Sequence, residues 1–122
     1  MRKIVKLFQP RFATMVRDGS KLNTIRPLPK RPRDVPQVGW EISLREWTGK
    51  PYRSKQRVLK ESAVVRVASV RIEEVGVYID SVWTFGDTVA KEDGFQDFIE
   101  MAEWFKKTHG LPFNGAFIAW KP

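Results

Sequence analysis

Residues 62–79 read SAVVRVASVRIEEVGVYI, and this stretch decides the fold class. β-Branched side chains dominate it, and such side chains pack well on a pleated sheet. Alternate positions of a strand point to opposite faces, which sets Val65 and Val67 opposite Val64 and Ala68. We therefore predict one long strand, or two strands with a bend at Gly76.

Shorter patterns on both sides of this stretch predict further strands and two main helices. The predicted strands lie at 2–8, 23–26, 39–47 and 115–122. The first helix, within 9–19, has Pro10 at a first helical position and Gly19 placed to end it. The second helix, within 95–110, has one apolar stripe, and a further turn of helix is predicted within 86–94. The stripe comprises Phe95, Phe98, Ile99, Ala102 and Phe105.

These elements predict the α+β class, as a single domain of residues 1–122. We expect a small mixed β-barrel with two main packing helices. A doubly wound sheet is excluded because it requires regular alternation of strands and helices. The chain has 122 residues, 42% of them hydrophobic, with five tryptophans, so it can form a real core.

The composition excludes several classes of protein. The chain has no cysteine, so we expect neither disulfides nor thiolate chemistry. Its single histidine, His109, cannot form a histidine-rich metal site, and we predict no metal and no cofactor. The sequence has no run of eighteen apolar residues and no signal-peptide pattern, so we expect no membrane partner. The absence of cysteine fits a cytoplasmic protein.

Charge is distributed unevenly along the chain. Residues 1–60 hold 16 Lys/Arg and 4 Asp/Glu, a balance of +12, whereas residues 61–122 hold 6 and 10, a balance of −4. Such polarity is typical of a surface that faces an anion, most often a nucleic acid. A generally basic protein without such a ligand is the plainer alternative. The basic half contains DGSKLNTIRPLPKRPRDVP at 18–36, where four prolines exclude a helix or a central strand after Arg26.

The chain resembles the ASCH domain family in an ordered series of short blocks. The first block consists of Phe8, Arg11, Phe12, Val16, Gly19, Lys21, Thr24, Ile25 and Arg26. It is followed by Val38 and Gly39 before a strand, by the strand at 64–72, and by Glu-Asp-Gly-Phe at 92–95. The family usually has an aspartate where this chain has Trp40. The resemblance implies a β-barrel related to the PUA RNA-binding domain and a role connected with RNA.

One branch of this family looks like an amidohydrolase that removes the acetyl group from N4-acetylcytidine. For this chain the resemblance implies a catalytic set of Lys21, Thr24 and Asp93. The family carboxylate is usually a glutamate, and an aspartate is shorter by one methylene. The carboxyl group is then displaced by about 1 Å, which weakens the implied catalysis.

The chemistry of these three residues is compatible with amide hydrolysis. Lys21 and Thr24 are three positions apart and converge if a turn forms at Gly19 and Ser20. A lysine whose pKa is lowered by burial and by nearby cations can take the proton of a threonine hydroxyl. Asp93 can then protonate the leaving amine, provided that its own pKa is raised.

The same residues also allow a purely structural interpretation. Lys21 is then solvated, and Thr24 is an ordinary strand residue. Asp93 is then the cap of the second helix, because Gln96 three residues later completes a capping box. A fully used cap has a low pKa and is a poor general acid, which leaves Glu92 as the substitute carboxylate.

Candidate ligand-binding residues lie in the same basic half. They are Arg26, Lys30, Arg31, Arg33, Tyr52, Arg53 and Lys55. Basic side chains track phosphates, and an exposed tyrosine can stack on a base. The first hypothesis is therefore binding of RNA, a nucleotide or a modified nucleoside at a basic barrel mouth. The second is an amidohydrolase of N4-acetylcytidine-like nucleosides, and the third is a weak ribonuclease.

Overall fold

The computed structural model describes residues 2–122, which form seven strands and three α-helices. The strands are β1 (Lys3–Leu7), β2 (Asn23–Pro27), β3 (Glu41–Trp47), β4 (Gln56–Glu73), β5 (Gly76–Ile79), β6 (Val82–Thr84) and β7 (Phe113–Trp120). The helices are α1 (Pro10–Asp18), α2 (Gly86–Glu92) and α3 (Phe98–Thr108), with one short 3₁₀ turn at Pro32–Asp34. The α+β class is confirmed. The single helical turn predicted within 86–94 is a full α-helix.

Strand β4 organises the sheet. Its 18 residues pair with β3 in the first half, with β7 in the second half, and with β5 at the end. Strand β1 adds to β3 in parallel, β2 pairs with β7, and β6 pairs with β5. The stretch at 62–79 is therefore two strands, with the turn directly before Gly76.

The hydrogen-bonded sheet is open rather than closed into a barrel. Strands β1 and β2 stand at two ends of the pairing, and within residues 2–122 no backbone pairing joins them. They are nevertheless neighbours, because Arg26 Nη2 on β2 donates to the Leu7 carbonyl of β1 at 2.7 Å. A side chain thus stands where a closed barrel has a backbone ladder.

Helix α1 agrees with the prediction. It begins at Pro10, and it ends at Gly19, whose φ of 86° is the left-handed conformation that glycine adopts without strain. Phe12, Ala13 and Val16 form its buried face. That face packs against β3 and β4.

Helix α3 begins three residues later than the predicted 95–110. Its N-cap is Asp97, whose side chain accepts a hydrogen bond from the Glu100 amide at 2.9 Å. The predicted capping box at Asp93 is wrong, because Asp93 is buried at the end of α2. The predicted stripe is also partly wrong, because Ile99 is 66% exposed. The buried residues of α3 are Met101, Ala102 and Phe105.

The core lies between the sheet and the helices. Fully buried side chains come from α1 (Val16), α3 (Phe105) and β3 (Ile42). Burial of each such side chain contributes about 1.5–3 kcal/mol. Within residues 2–122, none of the helices has the length and apolar composition needed to cross a membrane.

Candidate functional site

A cavity of about 240 Å³ lies where β1 and β2 approach each other. The end of β1, strand β2, and helices α1 and α3 all contribute to its walls. Its charged and hydroxyl lining consists of Lys21, Thr24, Arg26 and Asp93. Its size is slightly below the roughly 300–1,000 Å³ of sites for drug-sized ligands, so it suits a small ligand.

Lys21 and Asp93 form a buried ion pair at this cavity. Lys21 Nζ donates to the Asp93 carboxylate oxygen Oδ1 at 2.7 Å and to the Asp93 backbone carbonyl at 2.6 Å. The two side chains are only 3% and 6% exposed. The shorter aspartate side chain therefore reaches the lysine, because the backbone of residue 93 also approaches Nζ.

Local structure explains how two residues 72 positions apart meet. Lys21 follows the glycine cap of α1, and its amide donates to the Met15 carbonyl at 3.0 Å. Asp93 ends α2 and is followed by Gly94, whose φ is 100°. A Cβ at Gly94 would lie 2.9 Å from a ring carbon of Phe12 and 3.0 Å from the sulfur of Met15. Only glycine lets α1 pack this closely on the turn that presents Asp93.

Burial moves both pKa values of the pair toward the neutral forms. Desolvation lowers the pKa of Lys21, although the charge of Asp93 acts in the opposite direction. Desolvation likewise raises the pKa of Asp93, against the opposing effect of Lys21. The Nζ atom of Lys21 also lies 5.2 Å from the ring centroid of Phe12. The pair is thus held in apolar surroundings, which favour the neutral form of each group over its charged form.

Thr24 is buried beside Arg26. Its exposed fraction is 4%, and its Oγ1 accepts a hydrogen bond from Arg26 Nε at 2.9 Å. The guanidinium carbon of Arg26 lies 4.9 Å from the ring centroid of Phe8. Because the hydroxyl oxygen accepts from Arg26, the hydroxyl proton of Thr24 points away from the guanidinium group.

The structure brings four of the predicted site residues together and leaves the others outside. Lys21, Thr24, Arg26 and Asp93 line one cavity, whereas Glu92 is exposed. The predicted residues outside its lining are Lys30, Arg31, Arg33, Tyr52, Arg53 and Lys55. The stretch at 18–36 is therefore a wall of the site only as far as Pro27.

The outlying basic residues occupy two separate places. Arg31 binds Asp34, which also binds Arg2 at 2.7 Å, next to the beginning of β1. The cavity lies at the other end of β1, about 17 Å away for a five-residue strand. Tyr52 lies in the loop between β3 and β4, is 87% exposed, and has its ring centroid 5.1 Å from that of Trp47.

Sequence reasoning missed the aromatic walls of the cavity. They consist of Phe8, Phe12, Phe95, Trp104 and Phe105, with His109 at the end of α3. The apolar stripe predicts core positions for Phe95 and Phe105, because a helical aromatic stripe has the same pattern in a core and in a cavity wall. Phe8 and Phe12 stand in the block of residues that carries the family resemblance. Nothing in the sequence singles out Trp104.

Comparisons with family models, with curated proteins and with solved structures found no match to this chain. Among residues 2–122, no group of three or more histidine, aspartate or glutamate side chains is placed to hold a metal ion. The site is therefore a compact cluster of lysine, threonine, arginine and aspartate with aromatic walls.

Proposed function

We propose that the cavity is the active site of an amidohydrolase that deacylates nucleosides resembling N4-acetylcytidine. One observation carries the proposal: Lys21, Thr24 and Asp93 line the same small cavity. The roles of base, nucleophile and acid need these three groups near one another. The aromatic walls add flat apolar surfaces against which a base can stack.

In the proposed reaction, Thr24 Oγ1 attacks the acyl carbonyl carbon while Lys21 Nζ takes the hydroxyl proton. The carbon–nitrogen bond then breaks as Asp93 gives its proton to the leaving amine. Lys21 then passes the proton it took to the Asp93 carboxylate, across the hydrogen bond that joins them, which restores the neutral amine and the protonated carboxyl. The neutral Lys21 takes a proton from the water that attacks the acyl ester, and it gives that proton to Thr24 Oγ1 as the ester bond breaks and the carboxylic acid leaves. Burial favours the neutral amine and the protonated carboxyl, which are the forms that this reaction uses. Arg26 stabilises negative charge that develops on the attacking oxygen.

A turnover assay on N4-acetylcytidine tests this function. Thr24→Val keeps the shape of the side chain but has no hydroxyl, whereas Thr24→Ser keeps the hydroxyl. We expect the valine variant to lose at least about a hundredfold of the wild-type rate, and the serine variant to lose much less. Thermal unfolding of all three proteins checks that they are folded. Absence of turnover in the wild type, or equal turnover in the valine variant, contradicts the proposal.

We propose, as a second candidate, that RNA or a nucleotide binds the basic surface outside the cavity. Lys30, Arg33, Arg53 and Lys55 have no ion-pair partner within residues 2–122, and Tyr52 beside them in the sequence is exposed. Each phosphate contact to single-stranded RNA contributes about 0.7 to the slope of log affinity against log salt. We expect Arg53→Gln with Lys55→Gln to reduce that slope, and an unchanged slope contradicts this candidate. Cleavage of the RNA during the titration indicates the weak ribonuclease instead.

We propose also that the chain is a member of the ASCH family, with a PUA-like barrel left open between β1 and β2. The support is that Phe8, Phe12, Lys21, Thr24 and Arg26, all from the first block of the resemblance, line one cavity. A cytoplasmic location, expected from the cysteine-free composition, is compatible with a nucleoside substrate. A solution structure with continuous backbone pairing from β1 to β2 would establish closure of the barrel.

A further inference from the structure

The guanidinium group of Arg26 has hydrogen-bond donors that are not used within residues 2–122. A guanidinium group has five N–H donors in a planar fork. Nε of Arg26 donates to Thr24 Oγ1 and Nη2 donates to the Leu7 carbonyl, whereas Nη1 has no acceptor within residues 2–122. Arg26 is half-buried, and its Nη1 atom is not completely enclosed by the protein. Arg26 lines the cavity, and we call this unbonded side of its guanidinium group the free edge.

A second cation stands beside this edge without a counter-charge. Lys6 lies on β1 on the same face as Ile4, which packs against the core, and it is half-buried. It has no ion-pair partner among residues 2–122. Lys6 directly precedes Leu7, whose carbonyl accepts the hydrogen bond from Arg26 Nη2, so the two cations belong to neighbouring segments. Burial, and then the positive charge of Arg26, lower the pKa of Lys6.

The charges around the cavity therefore do not balance. Lys21 and Arg26 line the cavity, and Lys6 directly precedes Leu7, which also lines it. Among residues 2–122 the lining holds one carboxylate, that of Asp93, and Asp93 is already bonded to Lys21. Cations that are removed from water without a partner are costly. An anionic ligand would supply the missing negative charge, and the fork of an arginine fits a phosphate with two parallel hydrogen bonds.

We infer that the ligand of this cavity carries a phosphate group, which binds the free edge of Arg26 beside Lys6. The inference rests on the proposed function and narrows it, because the substrate is then an acylated nucleotide rather than a neutral nucleoside. The aromatic walls hold the base, and the cationic edge between β1 and β2 holds the phosphate.

Equilibrium binding of three probes tests the inference: cytidine 5′-monophosphate, cytidine and inorganic phosphate, at one low ionic strength. Isothermal titration calorimetry measures the affinity of each probe. We expect the monophosphate to bind at least about ten times more tightly than cytidine, the effect of one charge-assisted hydrogen bond. In Lys6→Gln this advantage falls to about twofold or less.

Lys3→Gln is the matched control for Lys6→Gln. It removes the same charge from the same strand, but Lys3 is exposed and faces Glu61 at 3.5 Å, outside the cavity. The control keeps the advantage of the monophosphate. An equal loss in both variants would show that the preference comes from the net charge of the protein, and it overturns the inference.

The outcomes also separate this inference from the proposed function. Equal affinity for cytidine and its monophosphate overturns the phosphate site and leaves nucleoside binding standing. Binding of inorganic phosphate that depends on Lys6, without binding of either cytidine compound, supports the anion site and contradicts the nucleoside function. Binding of none of the three probes contradicts both.

Discussion

Two ion pairs of this molecule have the same length and different surroundings. Lys21–Asp93 and Arg2–Asp34 both measure 2.7 Å between nitrogen and oxygen. The first pair is 3% and 6% exposed, the second 46% and 25%. Water can replace either partner of the exposed pair, so its loss matters little. Water cannot take the place of either partner in the buried pair. The distance between nitrogen and oxygen therefore does not by itself determine how much a salt bridge contributes to stability.

The comparison also indicates why the buried pair exists. Replacing a buried ion pair by apolar residues of similar size is often neutral or stabilising. Stability alone therefore does not account for this pair, and the proposed catalysis would give it a role. The neutral forms that burial favours in Lys21 and Asp93 are a base and an acid at the same cavity.

The largest effect is expected for Asp93→Asn, which breaks the buried pair. Lys21 is then left as a buried cation without its carboxylate, and we expect a loss of about 3–5 kcal/mol in the free energy of unfolding at pH 7. Without Asp93, the pKa of Lys21 in the folded protein falls further. Denaturant unfolding measures this loss.

The pH dependence of this loss in stability follows from the direction in which the pKa of Lys21 shifts on folding. Below the ordinary lysine pKa of about 10.4, the unfolded chain binds the Lys21 proton more tightly than the folded variant does. The stability of Asp93→Asn therefore rises toward that of the wild type between pH 7 and about pH 10. A loss of the same size at both pH values contradicts the account. As a control, Lys21→Met with Asp93→Leu removes both charges and is expected to be more stable than Asp93→Asn.

The next largest effect is expected for Gly94→Ala, which disturbs the turn that presents Asp93. The new Cβ collides with Phe12 and Met15, and the φ of 100° at residue 94 is strained for alanine. We therefore expect a loss of about 2–4 kcal/mol in the free energy of unfolding. Gly110→Ala is the matched control, because its φ is 85° and no atom lies within 4 Å of the added Cβ. That variant loses only about 1–2 kcal/mol. Equal losses would show that packing at Gly94 contributes nothing.

A smaller effect is expected for Asp97→Ala, which removes the N-cap of α3. The lost hydrogen bond to the Glu100 amide costs about 1 kcal/mol in thermal or denaturant unfolding. Gln96→Ala serves as the control, since its side chain is exposed and we expect a change of at most about 0.5 kcal/mol. If the control destabilises as much as Asp97→Ala, the cap is assigned to the wrong residue.

The smallest effect is expected for Asp34→Asn, which breaks the exposed pair with Arg2. Hydrogen bonds from Arg2 lower the pKa of Asp34, so the stabilisation is present at neutral pH and is lost as the pH falls through that lowered value. We expect a small loss of stability in low salt that disappears in about 1 M salt, where charges are screened within about 3 Å. A loss comparable to that of Asp93→Asn contradicts the comparison between the two pairs.

Local sequence patterns predict much of the fold and one side of the cavity. The β-branched run at 62–79 and the cap at Gly19 depend on neighbouring residues alone, and the structure confirms both. The turn that precedes Lys21 and Thr24 is likewise predicted from neighbouring residues alone. These features need no knowledge of distant contacts.

The features that sequence patterns miss depend on distant contacts. Asp93 and Asp97 both stand before an apolar helical run, and only the contact with Lys21 decides that Asp97 is the cap and Asp93 is buried. The opening between β1 and β2 depends in the same way on how the sheet curves as a whole. The sequence therefore predicts the polar residues of the cavity better than its shape and its aromatic walls.

The most direct test of the central claim is a search for the acyl-enzyme by mass spectrometry. Wild-type protein mixed with N4-acetylcytidine and quenched early should carry one acetyl group on the peptide that contains Thr24. Thr24→Val should carry none. Substrate that is consumed with no acetyl group on the wild-type protein, or with the acetyl group on Lys21 instead, would contradict the assignment of Thr24 as nucleophile and Lys21 as base.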